Sequence, residues 1–273
     1  MLTQVRKKIM EISLLTDIGQ KRSNNQDFVN KFVNQAGVTL VVVADGMGGH
    51  RAGNIASEMS VTDLGRDWIN TDFRELSKIR DWMIAAIDAE NRKIYELGQN
   101  EEYKGMGTTI EVLAFVDNAV IFAHVGDSRI AHIRNGEYKQ LTSDHSLVNA
   151  LIKAGQLTEE EAAVHPQRNI ITQSVGQSAP IEADLGVQQL EPGDYILANS
   201  DGLTNMISTD QIVHIVNSPG FVEEKTSRLV AGGHEAGGGC YYLDALPILA
   251  AANEAGGLDN ITVALVKIES EEG

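Results

Sequence analysis

The sequence has almost no cysteine, few aromatic residues, no excess of positive charge and no long apolar run. The single cysteine, Cys240, excludes an intrachain disulfide framework and a thiolate metal site. Aromatic residues make up 5% of the 273 residues, and the net charge of −16 argues against nucleic acid, whose phosphates attract basic surfaces. No stretch approaches the roughly 20 apolar residues of a membrane span, and residues 1–9 lack the apolar part of a secretory signal. We expect a cytoplasmic, monomeric protein without a nucleic-acid partner and without membrane insertion.

Strand patterns linked by tight turns dominate the chain. Apolar, β-branched runs typical of strands occupy residues 38–44, 108–116, 119–125, 129–134, 137–141, 195–198 and 261–268. The dipeptides Asp117-Asn118 and Asn135-Gly136 lie between consecutive runs, and such two-residue links favour β-hairpins. The sheets are therefore predicted to be mainly antiparallel.

Helical patterns lie between these strands. Apolar residues recur at helical spacing over residues 54–69 and 75–98, and Asp72 is the expected N-cap of the second helix. Capping boxes that begin at Thr158 and Ser208 predict two short helices. Strands that pair in hairpins, with the helices in separate segments of the chain, predict an α+β fold in which two packed sheets are covered by helices.

Residues 231–250 stand apart from the rest of the chain. Five glycines precede an apolar stretch, and glycine disfavours a continuous helix, so this segment is predicted to be a loop or an insertion. Its apolar residues, Ile248 among them, could form an exposed patch. We expect residues 1–9 to be an N-terminal extension and residues 10–273 to form a single domain.

Five aspartates lie in short turns next to apolar runs that are far apart in the sequence: Asp27, Asp45, Asp127, Asp201 and Asp259. Carboxylates at strand ends can converge on one point of a fold. Because clustered carboxylates repel each other, they rarely share a site unless cations lie among them. The set therefore favours a site for hard metal ions with oxygen ligands.

The pair Asp45-Gly46 suits such a site, because a glycine lets the backbone carbonyl approach a ligand and a carboxylate can bridge two cations. Mg²⁺ and Mn²⁺ prefer oxygen-rich shells, and two ions can activate a water and stabilise an in-line displacement. That chemistry is typical of phosphoester hydrolysis.

Each residue also has a simpler interpretation. Asp-Gly is chiefly a turn dipeptide, and Arg22 could be an ordinary solvated cation rather than a phosphate ligand. Ser128 has no nucleophile elbow around it, which favours a role in turn formation. For His50, His145 and His165, an ordinary polar surface histidine is the simpler expectation.

Taken together, the motifs favour the functional interpretation over the simpler one, because the set is complete and in a fixed order. The motifs occupy residues 16–27, 43–50, 105–109, 124–129, 141–146, 200–204 and 259–262. Here the chain resembles the metal-dependent protein phosphatases of type 2C in their compact bacterial form. The resemblance extends from about Glu11 to Lys267. It implies an antiparallel β-sandwich flanked by helix pairs, in four α-β-β-α layers, and hydrolysis of phosphoserine and phosphothreonine by in-line attack of metal-bound hydroxide.

The resemblance also implies roles for individual residues. Asp45, Gly46, Asp201 and Asp259 would hold two Mn²⁺ or Mg²⁺ ions, and Asp127 with Asp201 would hold a third. Arg22 would bind the substrate phosphate, Asp27 would orient water, and His50 would be the general acid, although Met47 follows Gly46 where animal enzymes carry a histidine. Residues 146–177 would form a mobile flap that affects substrate choice.

The expected partners are phosphorylated proteins, including a bacterial serine/threonine kinase whose action the enzyme opposes. Two alternatives remain at this level: a catalytically impaired module that binds phosphoproteins, and a hydrolase of small phosphate esters. The unusual stretch before Asp259 keeps the first alternative open, because it could disturb the position of that carboxylate.

Overall fold

Two antiparallel sheets form the centre of the fold in the computed structural model, which describes residues 10–49, 52–178, 180–218 and 246–269. Within these ranges the strands are β1 (Met10–Asp17), β2 (Asp27–Val33), β3 (Thr39–Met47), β4 (Gly107–Thr108), β5 (Ile110–Val116), β6 (Ala119–Val125), β7 (Arg129–Arg134), β8 (Glu137–Gln140), β9 (Asp184–Gln189), β10 (Tyr195–Asn199) and β11 (Ile261–Ile268). One sheet has the order β1-β11-β10-β7-β8 and the other has the order β2-β3-β5-β6-β9, with β4 paired to β3.

The helices lie outside the two sheets. They are α1 (Ala52–Trp68), α2 (Leu76–Leu97), α3 (Leu147–Lys153), α4 (Glu159–Ala163), α5 (Asp201–Thr204), α6 (Thr209–Val216) and α7 (Leu246–Glu254). Helices α1 and α2 pack on the second sheet, whereas α5, α6 and α7 pack on the first. The result is a four-layer α-β-β-α sandwich, which confirms the predicted α+β class.

Strand β3 shows how the layers are built. Leu40, Val42 and Ala44 pack in the core under helices α1 and α2. Val41 and Val43 point to the opposite face and pack in the core between the sheets. Because successive side chains on a strand alternate between its faces, a strand buried on both sides reads as a continuous apolar run. Strand β3 therefore lies centrally, as its sequence predicts.

Several local expectations are confirmed and others are wrong. The capping boxes at Thr158 and Ser208 are both present. The N-cap of α2 is Glu75 rather than Asp72, so the helix begins one turn later than its capping signal suggested. Residues 246–250 belong to α7 instead of a loop, and Ile248 is buried. Residues 1–9 and 231–245 lie outside the described residues, so the predicted extension and the glycine-rich stretch stay predictions.

Residues 146–177, the segment predicted to be the flap, include α3 and α4. One antiparallel bridge, between Ser146 and Ile171, joins the start of the segment to its returning arm. A second, between Val175 and Thr108, joins that arm to β4. In the part of the chain that the structure describes, none of the helices has the length and apolar character needed to cross a bilayer.

Candidate metal centre

Asp27 and Asp45 lie opposite each other in the ladder that pairs β2 with β3. Alternate side chains of a strand point to the same face, and Asp27 and Asp45 lie on the faces whose other residues pack between the sheets. Both side chains therefore face the gap at one end of the sandwich. Thr108 and Thr109 fix the backbone of Asp45: its N–H donates to Thr109 Oγ1 at 3.0 Å, and its carbonyl accepts from the Thr109 N–H at 2.9 Å and from Thr108 Oγ1 at 2.9 Å. The orientation of Asp45 is therefore set by backbone contacts that leave its carboxylate available.

Gly46 follows Asp45 at a point where the chain has no room for a side chain. A Cβ at this position would lie 2.1 Å from the carbonyl oxygen of Gly53 and 2.6 Å from that of Gln26. A glycine is therefore required by close backbone packing against the start of α1. The sequence suggested a glycine for carbonyl access, and the structure supplies this further reason.

Asp201 and Asp259 reach the same end of the sandwich from the neighbouring strands β10 and β11. Asp201 lies two residues after the end of β10, as the first residue of α5, and Asp259 lies two residues before β11. A Cβ on Gly202 would lie 1.9 Å from the carbonyl oxygen of Asn260 and 3.4 Å from the Cβ of Asp259. This close packing of two loops brings the two aspartates together.

Asn260, in the segment before β11, is connected to the loop between β1 and β2 by three hydrogen bonds. Its side-chain amide donates to the carbonyl oxygens of Ile18 at 3.0 Å and Asn24 at 2.9 Å, and its Oδ1 accepts from the Gln26 N–H at 2.8 Å. Sequence reasoning named Asn260 only as part of a motif and missed this role. A buried asparagine directly beside a candidate ligand was the available signal, since a buried amide needs several partners.

Ser200 holds Asp27 from the opposite sheet. Its Oγ donates to Asp27 Oδ2 at 2.7 Å and accepts from the Thr262 N–H at 3.0 Å. The other oxygen, Asp27 Oδ1, is buried and has no hydrogen-bond partner among the described residues. The sequence did not reveal Ser200 as a functional residue, because its partner lies 173 positions away in the chain.

Asp127 comes from a fifth segment, the turn between β6 and β7. The neighbouring Ser128 is buried and hydrogen-bonds Thr109 at 2.9 Å, which fits the turn role expected for it rather than that of a nucleophile. Burial together with the charges of Asp201 and Asp144 raises the pKa of Asp127 to about 8. The turn is supported by Arg129, whose guanidinium donates to both carboxylate oxygens of Asp144 at 2.7–3.1 Å.

Burial and like charges also raise the pKa of Asp27, Asp201 and Asp45. Burial, with a smaller contribution from Asp201 and Asp259, raises the pKa of Asp27 to about 7. Burial and the charge of Asp259 raise the pKa of Asp201 to about 6. Burial and the charges of the other four aspartates raise the pKa of Asp45 well above its ordinary value. The cluster therefore concentrates negative charge in a poorly solvated place, which is a strong attraction for cations.

The carboxylates are near each other without enclosing a small volume. Among the described residues, no group of three or more His, Cys, Asp or Glu side chains forms a ready-made metal cage. One oxygen of Asp259 accepts from Arg22 Nη2 at 2.6 Å, and one oxygen of Asp201 accepts from Asn205 at 2.9 Å. Like charges repel, and these two donors partly offset the repulsion between the carboxylates.

The other predicted site residues have different outcomes. Arg22 lies at the site, with half of its side chain exposed, and pairs with Asp259. His50 lies outside the described residues. His165 is partly buried, and its Nδ1 accepts from the Gln167 N–H. His145 is not the surface histidine that the sequence suggested, because 14% of its side chain is exposed and both ring nitrogens have partners.

Comparisons with known proteins agree with this geometry. The family model for Protein phosphatase 2C matches residues 19–231. A putative protein phosphatase 2C-type of Streptococcus pyogenes serotype M6 is 62% identical over 263 residues, which cover 96% of this chain and 99% of that protein. The structure of the S. agalactiae serine/threonine phosphatase superposes with a TM-score of 0.86 at 63% identity and covers 96% of this chain and 100% of that one.

A more distant structure bears on the metal. The catalytic domain of the serine threonine protein phosphatase PstP, in complex with 2 manganese ions, superposes with a TM-score of 0.77 at 28% identity. The match covers 97% of this chain and 100% of that domain. By the extent of these matches, the chain belongs to the protein phosphatase 2C family of metal-dependent protein phosphatases.

Proposed function

We propose that this chain removes phosphate from phosphoserine and phosphothreonine side chains of proteins, with two divalent ions, Mn²⁺ or Mg²⁺, held by Asp45, Gly46, Asp201 and Asp259. The observation that carries the proposal is the convergence of aspartates from five separate segments on one end of the sandwich. The names of the related bacterial phosphatases and the manganese in one of them support the substrate class and the metal.

The residues fit such ions by their chemistry. All the donors are oxygen atoms, which Mn²⁺ and Mg²⁺ prefer over nitrogen and sulfur. Burial and the charges of neighbouring aspartates raise the pKa of Asp45 and Asp201, and a cation between these carboxylates would relieve that repulsion. The Asp45 carboxylate is not taken by the threonines that hold its backbone, so it is free to bridge two ions. Asp127 and Asp201 repel each other and would share a third, weaker ion.

Divalent ions at such a site supply a water that ionises near neutral pH and positive charge for the phosphoryl oxygens. The chain's own residues supply position. Asp27 is held by a hydrogen bond from Ser200, and its Oδ1, which has no hydrogen-bond partner among the described residues, can accept a hydrogen bond from a water between the sheets. Arg22 is exposed enough to reach a substrate, and its guanidinium can donate two parallel hydrogen bonds to a phosphate.

The role of His50 as general acid stays a prediction. So do a serine/threonine kinase as substrate, the cytoplasmic location and the monomeric state. Sedimentation of the purified protein tests the monomeric state. Dephosphorylation of an autophosphorylated serine/threonine kinase from the same cell tests the kinase as a substrate.

The proposal is tested by phosphate release from a phosphothreonine peptide after removal of metal and after addition of Mn²⁺. We expect activity to disappear on chelation and to return with Mn²⁺ in the wild type. Asp45→Asn should abolish turnover, whereas Asp81→Asn, on the exposed face of α2, should not change it. Persistent activity in metal-free protein would contradict the mechanism. Faster turnover of small phosphate esters than of any phosphopeptide would contradict the substrate class.

A further inference from the structure

His145 lies between the last strand of the β7–β8 hairpin and the flap, residues 146–177. Its ring Nδ1 accepts from the Gly126 N–H at 3.2 Å and from Gln173 Nε2 at 3.2 Å. Its backbone N–H donates to the Gly126 carbonyl at 2.7 Å, and its carbonyl accepts from the Thr172 N–H at 2.8 Å. One residue therefore contacts the turn that carries Asp127 and the returning arm of the flap.

The hydrogen bonds define the state of the ring. Two donors meet at Nδ1, so the proton of the neutral ring lies on Nε2, which is 3.3 Å from Asp184 Oδ2 and donates to it. Burial lowers the pKa of His145, and the nearby His124 lowers it further, which keeps the ring neutral at pH 7. In this tautomer every polar atom of the ring has a partner of the right kind.

A second histidine, His124, supports the ring of His145. The two rings pack against each other with their centroids 4.8 Å apart and their planes tilted by 38°. His124 is itself fully buried, and its Nδ1 lies 3.1 Å from Glu111 Oε1 on the opposite strand β5. The sheet thus provides a fixed surface under His145. A displacement of the flap arm would have to move His145 along this surface or break its bonds to Thr172 and Gln173.

We propose that His145 is a positioning residue that couples the flap to the orientation of Asp127, through the Gly126 amide. The proposal rests on the proposed function, because it assigns to Asp127 a share in binding an ion. His145 does not itself need to touch the phosphate or a metal.

Coupling of this kind works in both directions. If seating of the flap arm holds Gly126 and Asp127 in place, then an ion at Asp127 holds the flap arm by the same free energy. The third ion and a substrate that moves the flap would then influence each other's affinity. The flap would affect substrate choice partly through a metal ligand, in addition to direct contact with the substrate.

Three substitutions separate the two ring nitrogens. In His145→Asn, the amide oxygen can take the place of Nδ1 and accept from Gly126. In His145→Gln, the longer amide can reach Asp184 but leaves the Gly126 N–H without its acceptor. His145→Ala removes both contacts. His165→Ala is the matched control, because the ring contact of His165 stays within the flap.

The first measurement is the exchange rate of the Gly126 amide, followed by NMR in metal-free protein, which does not depend on activity. We expect exchange in His145→Ala and His145→Gln to be about fivefold faster than in the wild type, which corresponds to loss of one hydrogen bond of ordinary strength. His145→Asn and His165→Ala should stay near the wild-type rate. An unchanged exchange rate in His145→Ala, or equal exchange rates in His145→Asn and His145→Gln, would overturn the proposed link between His145 Nδ1 and the Gly126 amide. If the alanine variant does not fold, the Asn and Gln pair decides.

The second measurement is calorimetric titration with Mn²⁺. The weakest binding step should be lost or weakened at least fivefold in His145→Gln, while the two tighter steps and the His165→Ala control match the wild type. Equal weak-site affinity in all variants would refute the coupling to Asp127. Failure of the wild type to bind Mn²⁺ at all would instead refute the proposed function, and the exchange data would still decide whether the link between His145 Nδ1 and the Gly126 amide exists.

Discussion

Glu90 offers a test of the electrostatic reasoning at a position away from the aspartate cluster. It lies on the buried face of α2, next to Asn91, and 5% of its surface is exposed. Its Oε1 is buried without a hydrogen-bond partner among the described residues, and Lys93 Nζ lies 3.8 Å from Oε2. Lys93 also pairs closely with Asp63. Burial therefore outweighs the weak pairing and raises the pKa of Glu90 to about 7.

The sign of the effect on stability follows from proton uptake. Between pH 4.5 and 7 the unfolded chain has released the Glu90 proton while the folded chain keeps it, so stability falls as the pH rises through this range. Full ionisation of a carboxyl with these two pKa values costs the fold about 3 kcal/mol. Glu90→Gln removes the charge and keeps the shape. Its free energy of unfolding, relative to that of the wild type, should therefore increase by about 3 kcal/mol between pH 4.5 and pH 8.

Urea unfolding of metal-free protein, followed by circular dichroism at both pH values, measures this change. Comparison of the variant with the wild type at each pH cancels the titration of the aspartate cluster, which both proteins share. Glu96→Gln, on the exposed side of the same helix, is the control and should show no such change. A difference between Glu90→Gln and wild type that is constant with pH, or that falls as the pH rises, would refute the argument.

Three further substitutions test the site. Arg22→Ala should raise KM for a phosphopeptide roughly tenfold or more, because a charge-assisted hydrogen bond contributes about 1.5–3 kcal/mol; an unchanged KM would exclude Arg22 from phosphate binding. Gly202→Ala should lower the free energy of unfolding by more than about 2 kcal/mol, since its Cβ would lie 1.9 Å from a carbonyl oxygen; wild-type stability in urea would show that the loops can separate freely. Ser200→Ala removes the hydroxyl that donates to the buried Asp27 carboxylate at 2.7 Å and should cost about 1–3 kcal/mol in thermal unfolding at pH 8; no loss would mean that Asp27 is solvated.

The sequence predicted what depends on local chemistry. The apolar run of β3, the turn dipeptides of both hairpins and the capping boxes at Thr158 and Ser208 all act within a few residues, and each is present. Strands β1, β2 and β9 escaped detection. Polar residues interrupt β1 and β2, and β9 is an edge strand with Val187 half exposed, so none of the three carries a clear apolar pattern.

The candidate site shows the same difference between features set by local sequence and features set by tertiary contacts. The aspartates could be found because each belongs to a recognisable short motif beside an apolar run, although Asp27 and Asp45 lie in strands and Asp201 begins a helix rather than lying in the expected turns. The groups that hold them could not be found, because Ser200 reaches Asp27 across the two sheets and Asn260 contacts a loop more than 230 positions away in the chain. His145 was misjudged for a related reason. A polar residue before a flap is usually exposed, and only the tertiary structure shows the buried ring of His124 beneath it.

The most direct test of the central claim is calorimetric titration of the metal-free protein with Mn²⁺. At least two ions per chain should bind in the wild type and in the Asp81→Asn control. Both should be lost in Asp45→Asn, because that carboxylate is assigned to both ions. Binding of fewer than two ions by the wild type, or wild-type binding by Asp45→Asn, would contradict the assignment of this aspartate cluster as the metal centre.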